Sequence, residues 1–343
     1  MYTDEDLDIA VDKGIFTAKS VEEFRSLQSS SKNSPLVDEE NFRLIGGFND
    51  IFIVIACLLL LFSSLWVLKK IDPSLGYFVF TVLSWGLSEF FVRKRKMALP
   101  AIVLLLSFLG GVFELSMSLL TPFLSDASLL FAAAIVAIAA YFHWLRFNVP
   151  ITIAVGALAG VVVLVLVTTM ILPSAEEWLS VILFVCGIMV FLFAMYWDSS
   201  DISRTTRRSD VAFWLHLLSA PLIIHPVFSS LGILNGEENL GSMAIVIVLY
   251  LLMTSISIAI DRRAFTVSSL IYVLYALSSL IETYGGVGYS FALTGILIGG
   301  SLLLLSAYWH RVRVNLVSNL PSRIRNHLPK GQQCINLSLE LFF

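Results

Sequence analysis

Charged side chains are scarce in this sequence. Only 14% of the 343 residues are Asp, Glu, Lys or Arg, whereas 57% are hydrophobic. An ordinary soluble domain carries about a quarter charged residues, which it needs to cover a surface that faces water. The deficit excludes an ordinary soluble globular protein and predicts an all-α integral membrane protein that crosses the bilayer several times.

Cysteine is also rare. The chain has three, Cys57, Cys186 and Cys334, and none forms a CxxC motif or belongs to a Cys/His cluster. This spacing supports neither a disulfide framework nor a metal site of the usual kind. The acidic N-terminus lacks the basic segment that opens a secretory signal peptide. We therefore expect the first membrane helix to act as an uncleaved anchor.

Catalytic signatures are missing as well. The sequence has no nucleophile motif, phosphate-binding glycine loop, HExxH motif or catalytic dyad spacing. It therefore predicts neither an enzyme nor a bound cofactor, and nothing in it indicates a nucleic-acid partner. Paired glycines fit close helix packing in a membrane rather than ligand binding; they are Gly110-Gly111, Gly156 with Gly160, and Gly299-Gly300.

Residues 1–45 form the only sizeable polar segment before the first apolar run. Helix-capping residues predict two short helices, about 4–13 and 20–29, with Ser20 and Glu23 as a capping box and Gly14 at the end of the first helix. Such a unit is too small for a robust core. We expect a cytoplasmic helical hairpin and linker that rests on a protein partner or on the membrane face.

Ten apolar runs follow, each close to the length that crosses about 30 Å of hydrocarbon. They predict a transmembrane domain over residues 46–310, with a cytoplasmic tail over 311–343. The ten runs are 48–68, 74–92, 98–120, 127–145, 150–172, 176–197, 211–233, 241–260, 264–283 and 289–309.

The basic residues fall on one side of these runs. The links after the even-numbered runs hold ten Lys and Arg, whereas the links after the odd-numbered runs hold only Lys69 and Lys70. Links rich in Lys and Arg stay in the cytoplasm. The sequence therefore predicts about ten transmembrane helices with both termini in the cytoplasm.

The stretch from 198 to 226 differs from the rest of the chain. A cluster of Asp and Arg residues leads into an apolar run that carries His216, His225, Pro221 and Pro226. Ser209 and Asp210 are suitable capping residues for a helix that begins near Val211. Proline removes a backbone donor, and in lipid the freed carbonyl needs protein, a hydroxyl or water. The run predicts a broken helix beside a polar cavity; the alternative is that Pro and His simply pack in a bundle.

Ionisable residues inside the runs are rare because each costs a few kcal/mol at the bilayer centre. Glu114 and Glu282 both lie towards the outer ends of their runs, and His225 lies deeper in the membrane than His216. The hypothesis is a polar pocket of Glu114, His216, His225 and Glu282 in which a carboxylate binds a proton or cation. The residues after Glu282 alternatively indicate a helix end already at the water boundary.

A weak internal repeat is also present. Tyr, an aromatic residue, His, Arg and Asn recur at an offset of 167 between Tyr141–Asn148 and Tyr308–Asn315. A parallel repeat of the first four helices in the last four explains this pattern. Aromatic and basic residues also collect at any membrane interface, which is the simpler explanation.

Beyond Arg311 the tail is basic, with Arg and Lys interspersed among prolines. This composition is typical of a segment that lies on an anionic inner leaflet. The predicted partners are therefore the lipid bilayer and anionic lipid at the basic cytoplasmic face, and no particular protein partner is predicted.

Two stretches carry a family resemblance. The N-terminal segment around Leu7, Ala10-Val11 and Gly14-Ile15-Phe16-Thr17, and the more specific RRSDVAFWLHLLSAPLIIHP of residues 207–226, resemble a family of bacterial polytopic inner-membrane proteins with no assigned function. The resemblance implies a multi-pass location in the bacterial cell inner membrane. It implies no activity and no binding residues.

Two classes of function remain open. A secondary transporter or ion-coupled permease is favoured by the ten runs, the prolines and the ionisable residues in the membrane. A membrane sensor, regulator or assembly partner is favoured by the N-terminal hairpin and by the scarcity of charge within the runs.

Overall fold

The computed structural model describes residues 11, 13–17, 19–21, 23, 48–124, 127–201, 207–230, 240–285 and 290–319. The chain divides into two units, Met1–Leu44 and Ile45–Phe343. Every regular element among the described residues is helical.

The first unit contains the predicted turn at Gly14, which adopts a left-handed φ of 67° and donates its N–H to the carbonyl of Val11 at 2.9 Å. The next helix is capped three residues earlier than predicted. Thr17 and Ser20 exchange backbone-to-hydroxyl hydrogen bonds of 3.0 and 3.2 Å, so Thr17 rather than Ser20 is the capping residue. Most of the predicted helices 4–13 and 20–29 lies outside the described residues.

Among the described residues between 48 and 319, the second unit contains ten α-helices, and each overlaps one apolar run of the sequence. The helix that follows Lys69 ends in a π-helical turn, Glu89–Lys94. The ten helices are α1 Phe48–Lys69, α2 Pro73–Ser88, α3 Ala98–Leu120, α4 Ser128–Phe147, α5 Ile151–Ile171, α6 Leu179–Ser199, α7 Arg207–Ser229, α8 Leu240–Ile260, α9 Ala264–Gly285 and α10 Ser290–Ser318.

Eight helices of the described part of the chain are long and apolar enough to cross a membrane, which makes this a multi-pass membrane protein. The other two, α8 and α9, contain shorter apolar stretches, 244–260 and 264–278. The last helix, α10, continues to Ser318, so the beginning of the predicted tail is helical.

Helix α7 lies at the centre of the bundle, where it packs against α5, α6 and α9. In the most apolar 18-residue stretch of α7, 56% of the residues are buried, compared with 11% in the corresponding stretch of α1. It begins at Arg207 instead of near Val211, so Ser209 and Asp210 lie in its first turn. The helix is continuous through Pro221 and Pro226; the bend predicted at Pro221 stays a prediction.

Helices α6 and α7 make an unusually close, antiparallel pair. A Cβ atom added at Gly187 would lie 2.8 Å from Ile223 Cγ1 and 2.9 Å from the carbonyl carbon of Leu222. The Leu222 carbonyl is the one whose helical donor Pro226 removes. Because Gly187 has no side chain, α6 packs directly against the Leu222 peptide and shields its unpaired carbonyl from lipid.

Candidate functional site

One stripe of α7 faces α6 along its whole length. Ser209, His216 and Ile223 are spaced by seven residues, which is close to two helical turns, so they share one face. Gly187 and Asp198 are eleven residues apart and likewise share one face of α6. Gly187 lies against Ile223, and Asp198 lies against the part of α7 that holds Ser209 and His216.

Asp198 forms a buried ion pair with Arg262, which lies in the link between α8 and α9. Arg262 Nη2 is 2.7 Å from Asp198 Oδ1 and lies 3.1 Å from Ser209 Oγ and 3.2 Å from the Ser209 carbonyl oxygen. Asp198 is 1% exposed and Arg262 is 2% exposed. The two charges neutralise each other in a site that is closed to solvent, because burial of either charge without the other would cost several kcal/mol.

The backbone of the α8–α9 link directs Arg262 into the bundle. Asp261 adopts a left-handed φ of 59°. Its N–H bonds the Ile258 carbonyl at 3.2 Å, and the N–H of Arg262 bonds the Ser257 carbonyl at 2.9 Å. This is the Schellman arrangement that ends many helices, with Asp where Gly is usual. The Ser257 hydroxyl in turn donates to the Arg262 carbonyl.

His216 completes the cluster from the centre of α7. Its Nε2 atom lies 3.8 Å from Asp198 Oδ2, and its ring meets Phe191 edge-on with centroids 5.5 Å apart. The side chain is fully buried. Asp198 therefore presents one carboxylate oxygen to the Arg262 guanidinium and the other to the His216 imidazole.

Further charges surround this group at the same end of the bundle. Asp201 is buried, and Asp210 interacts electrostatically with Arg262, Arg207 and Asp201. We call Asp198, Ser209, His216 and Arg262 the charge cluster. It is held by α6, α7 and the α8–α9 link.

The same link also holds α10. Asp261 Oδ1 accepts a hydrogen bond from Trp309 Nε1 at 2.8 Å and lies 3.7 Å from Arg313 Nε. The guanidinium of Arg263 lies over the Trp309 ring, 5.3 Å from its centroid. Adjacent residues of opposite charge, Asp261 and Arg262, thus fasten the link to α10 on one side and to α6 and α7 on the other.

The residues of the predicted polar pocket occupy separate places. His216 belongs to the charge cluster. His225 is exposed, and its Nδ1 atom lies 2.6 Å from the hydroxyl of Tyr272 on α9. Glu114 is exposed on α3, where its charge acts on Lys69. The side chain of Glu282 lies outside the described residues. His216, His225 and Glu114 are thus described with different partners, and the shared pocket stays a prediction.

Another buried histidine packs among aromatic rings. His143 stacks on Phe108 with ring centroids 5.7 Å apart and lies close to Trp85 and Phe147. Its Nδ1 atom is 3.4 Å from Thr152 Oγ1. The side chain of His143 is fully buried between helices.

Sequence reasoning found His216 but missed Asp198 and Arg262. In the sequence each of them looks like an ordinary charge at the end of an apolar run, and Arg262 is one basic residue among several in the links.

In the described part of the chain no group of three or more His, Cys, Asp and Glu residues is placed to bind a metal ion.

No protein-family model, curated protein or solved structure matches this chain.

Proposed function

We propose that the chain is a ten-span secondary transporter coupled to protons, and that the charge cluster is the proton-binding gate at its cytoplasmic end. The proposal rests on one observation: the buried carboxylate of Asp198 lies between the side chains of Arg262 and His216. Buried ionisable groups that pair with one another mark ion and substrate pathways in membrane proteins.

The topology part of the proposal rests on short links. Consecutive helices are joined by three to ten residues, and short links of this kind favour neighbouring helices that run in opposite directions. With ten helices both ends lie on one side. Ten of the Lys and Arg residues between the apolar runs fall on that side, whereas two fall on the opposite side. This supports cytoplasmic termini, and the resemblance noted above supports the bacterial inner membrane.

Labelling of single cysteines in intact cells tests this topology. In a background without the three native cysteines, we expect cysteines at Glu177 and Glu238 to react with an impermeant maleimide from the periplasm. Cysteines at Arg95 and Arg208 should react only after the cells are permeabilised. The opposite pattern at either pair contradicts the proposed topology.

The chemistry of the gate follows from its charges. With Asp198 ionised, the pair with Arg262 holds the α8–α9 link against α6 and α7. A proton that reaches Asp198 from His216 neutralises the carboxylate, and the 3.8 Å between Nε2 and Oδ2 closes by a small rotation of either side chain. Arg262 is then a buried cation without its counter-charge, which costs several kcal/mol. Outward movement of Arg262 towards Asp201 and Asp210 relieves that cost and opens this end.

Transport by proteoliposomes tests the function. Vesicles that contain the full-length protein are given a mixture of small polar metabolites and an imposed pH gradient, and the accumulated solutes are identified by mass spectrometry. We expect at least one solute to accumulate at least about tenfold, to be lost with a protonophore, and not to accumulate with Asp198→Asn. Ser200→Ala, two residues away on an exposed surface, is the control that should transport normally.

The separate N-terminal unit, Met1–Leu44, favours a second candidate, a membrane sensor or assembly partner. In that case the same protonation of the charge cluster changes the cytoplasmic face without moving a solute. Failure of every solute to accumulate under gradients of either direction would support this candidate over the transporter.

A further inference from the structure

Four consecutive basic residues, Arg93 to Lys96, connect α2 to α3. The helical spans on either side, Pro73–Lys94 and Ala98–Leu120, are both long and apolar enough to cross a membrane. The link between them is only three residues, 95–97. These cations therefore lie at the level of the lipid headgroups, whichever side of the membrane this end faces.

The backbone of this segment is unusual. The last turn of α2 is π-helical over Glu89–Lys94, and its final hydrogen bonds join Arg95 N to Phe90 O at 3.1 Å and Met97 N to Phe91 O at 3.2 Å. Lys96 adopts a left-handed φ of 53°, a conformation that is unfavourable for a residue with a Cβ atom. π-Helical turns are rare and are frequently found at functional sites.

The acidic residue of the segment is already engaged. Glu89 accepts hydrogen bonds from Arg146 at 2.6 and 3.1 Å and from Arg93 at 3.4 Å. Within residues 48–124 and the other described ranges, no carboxylate lies at ion-pair distance from Lys94, Arg95 or Lys96. Three neighbouring cations thus remain available to an anion.

An exposed aromatic ring accompanies these cations. Phe90 is 44% exposed. The Lys94 ammonium and the Arg95 guanidinium lie 6.0 and 5.7 Å from its ring centroid. A surface that joins an apolar ring to three cations matches the boundary between the acyl chains and the phosphate groups of a bilayer.

We propose that Lys94, Arg95 and Lys96 form a binding site for the phosphate group of an anionic phospholipid, with Phe90 against the upper part of its acyl chains. The position of the segment between two membrane spans and the exposed Phe90 favour a lipid over a free phosphate. The site is separate from the charge cluster and does not depend on transport.

The test is a titration of the full-length protein in a zwitterionic detergent, with bound lipid counted by native mass spectrometry. Phosphatidylglycerol is compared with phosphatidylcholine of the same acyl chains and with inorganic phosphate. The variant is K94Q/R95Q/K96N, in which asparagine replaces the third cation because it tolerates the left-handed backbone there. The control, K13Q/K19Q/K70Q, removes the same number of positive charges at other exposed positions.

Each Lys or Arg of a basic segment at the membrane surface strengthens association with anionic lipid by about fivefold, whereas an isolated cation elsewhere on the protein adds no contact to the lipid at this site. We therefore expect roughly 100-fold weaker binding of phosphatidylglycerol by the triple variant, unchanged binding of phosphatidylcholine, and wild-type behaviour of the control. If the triple variant does not fold, Arg95→Gln alone should weaken binding about fivefold. Equal binding by variant and wild type, an equal loss in the control, or displacement of the lipid by millimolar inorganic phosphate would each overturn the proposal.

Discussion

Replacement of Asp198 by Ala is expected to destabilise the protein by about 3–5 kcal/mol, because it leaves Arg262 as a buried cation without its carboxylate. Arg262 is 2% exposed and donates to Asp198 at 2.7 Å, so water cannot replace the lost partner. The double substitution Asp198→Leu/Arg262→Met should recover most of this stability, since apolar residues of similar volume need no counter-charge.

The measurement is the free energy of unfolding of the purified protein in detergent micelles. The matched control is Glu89→Ala, which breaks an ion pair between side chains that are 43% and 30% exposed. Water and salt screen exposed ion pairs, so they contribute little to stability, and this variant should lose much less stability than Asp198→Ala. A loss for Asp198→Ala no larger than that for Glu89→Ala would show that the buried pair does not hold α6, α7 and the α8–α9 link together.

Replacement of Gly187 by Ala is expected to destabilise the protein by about 1–3 kcal/mol through overpacking. The added methyl group would lie 2.9 Å from the carbonyl carbon of Leu222 and 3.0 Å from the nitrogen of Ile223. Both are backbone atoms of α7, so no side-chain rotation can make room. A larger residue, Gly187→Leu, should separate α6 from α7 and disturb the charge cluster farther along the same interface.

Thermal unfolding of the variants in detergent checks this prediction. Gly160→Ala on α5 is the control, because a Cβ atom there meets nothing within 4 Å. Alanine is the better helix former by up to about 1 kcal/mol, so the control should be unchanged or slightly more stable. If both alanine variants behave alike, the close approach of α6 and α7 contributes nothing to stability.

The all-helical class and the approximate position of each described helix were predictable from the sequence, whereas eight of the ten predicted spans are long and apolar enough to cross a membrane. Bilayer thickness imposes the length of each apolar run, and each of the ten runs corresponds to one helix. The ends were less predictable. Helix α7 begins at Arg207 and α10 continues to Ser318, because backbone hydrogen bonding does not stop where a side-chain pattern turns polar.

The candidate site was predictable only in part. His216 is conspicuous because it is an ionisable residue inside an apolar run. Asp198 and Arg262 are 64 residues apart, and each looks like an ordinary charge at the end of a membrane span. Their pairing depends on the left-handed backbone of Asp261 and on the packing of the α8–α9 link. Neither feature produces a recognisable pattern in the local sequence.

Glycines illustrate the same limit. The paired glycines of the sequence predicted close helix contacts, and Gly111 makes one, since a Cβ atom there would lie 2.9 Å from Phe80 Cδ1. Gly110, Gly160 and the pair Gly299-Gly300 meet nothing within 4 Å. The residue at the closest backbone approach of α6 and α7, Gly187, belongs to no glycine motif, because its role is determined by the neighbouring helix.

Helix α7 is poorly suited to remain alone in lipid while the chain is being synthesised. Its two histidines and two prolines would meet hydrocarbon, where polar groups are costly. It therefore enters the bilayer as a hairpin with α6, which is already made and covers the Leu222 peptide through Gly187. Arg262 leaves the ribosome later than both helices, so the Asp198–Arg262 pair closes only after α8 is complete.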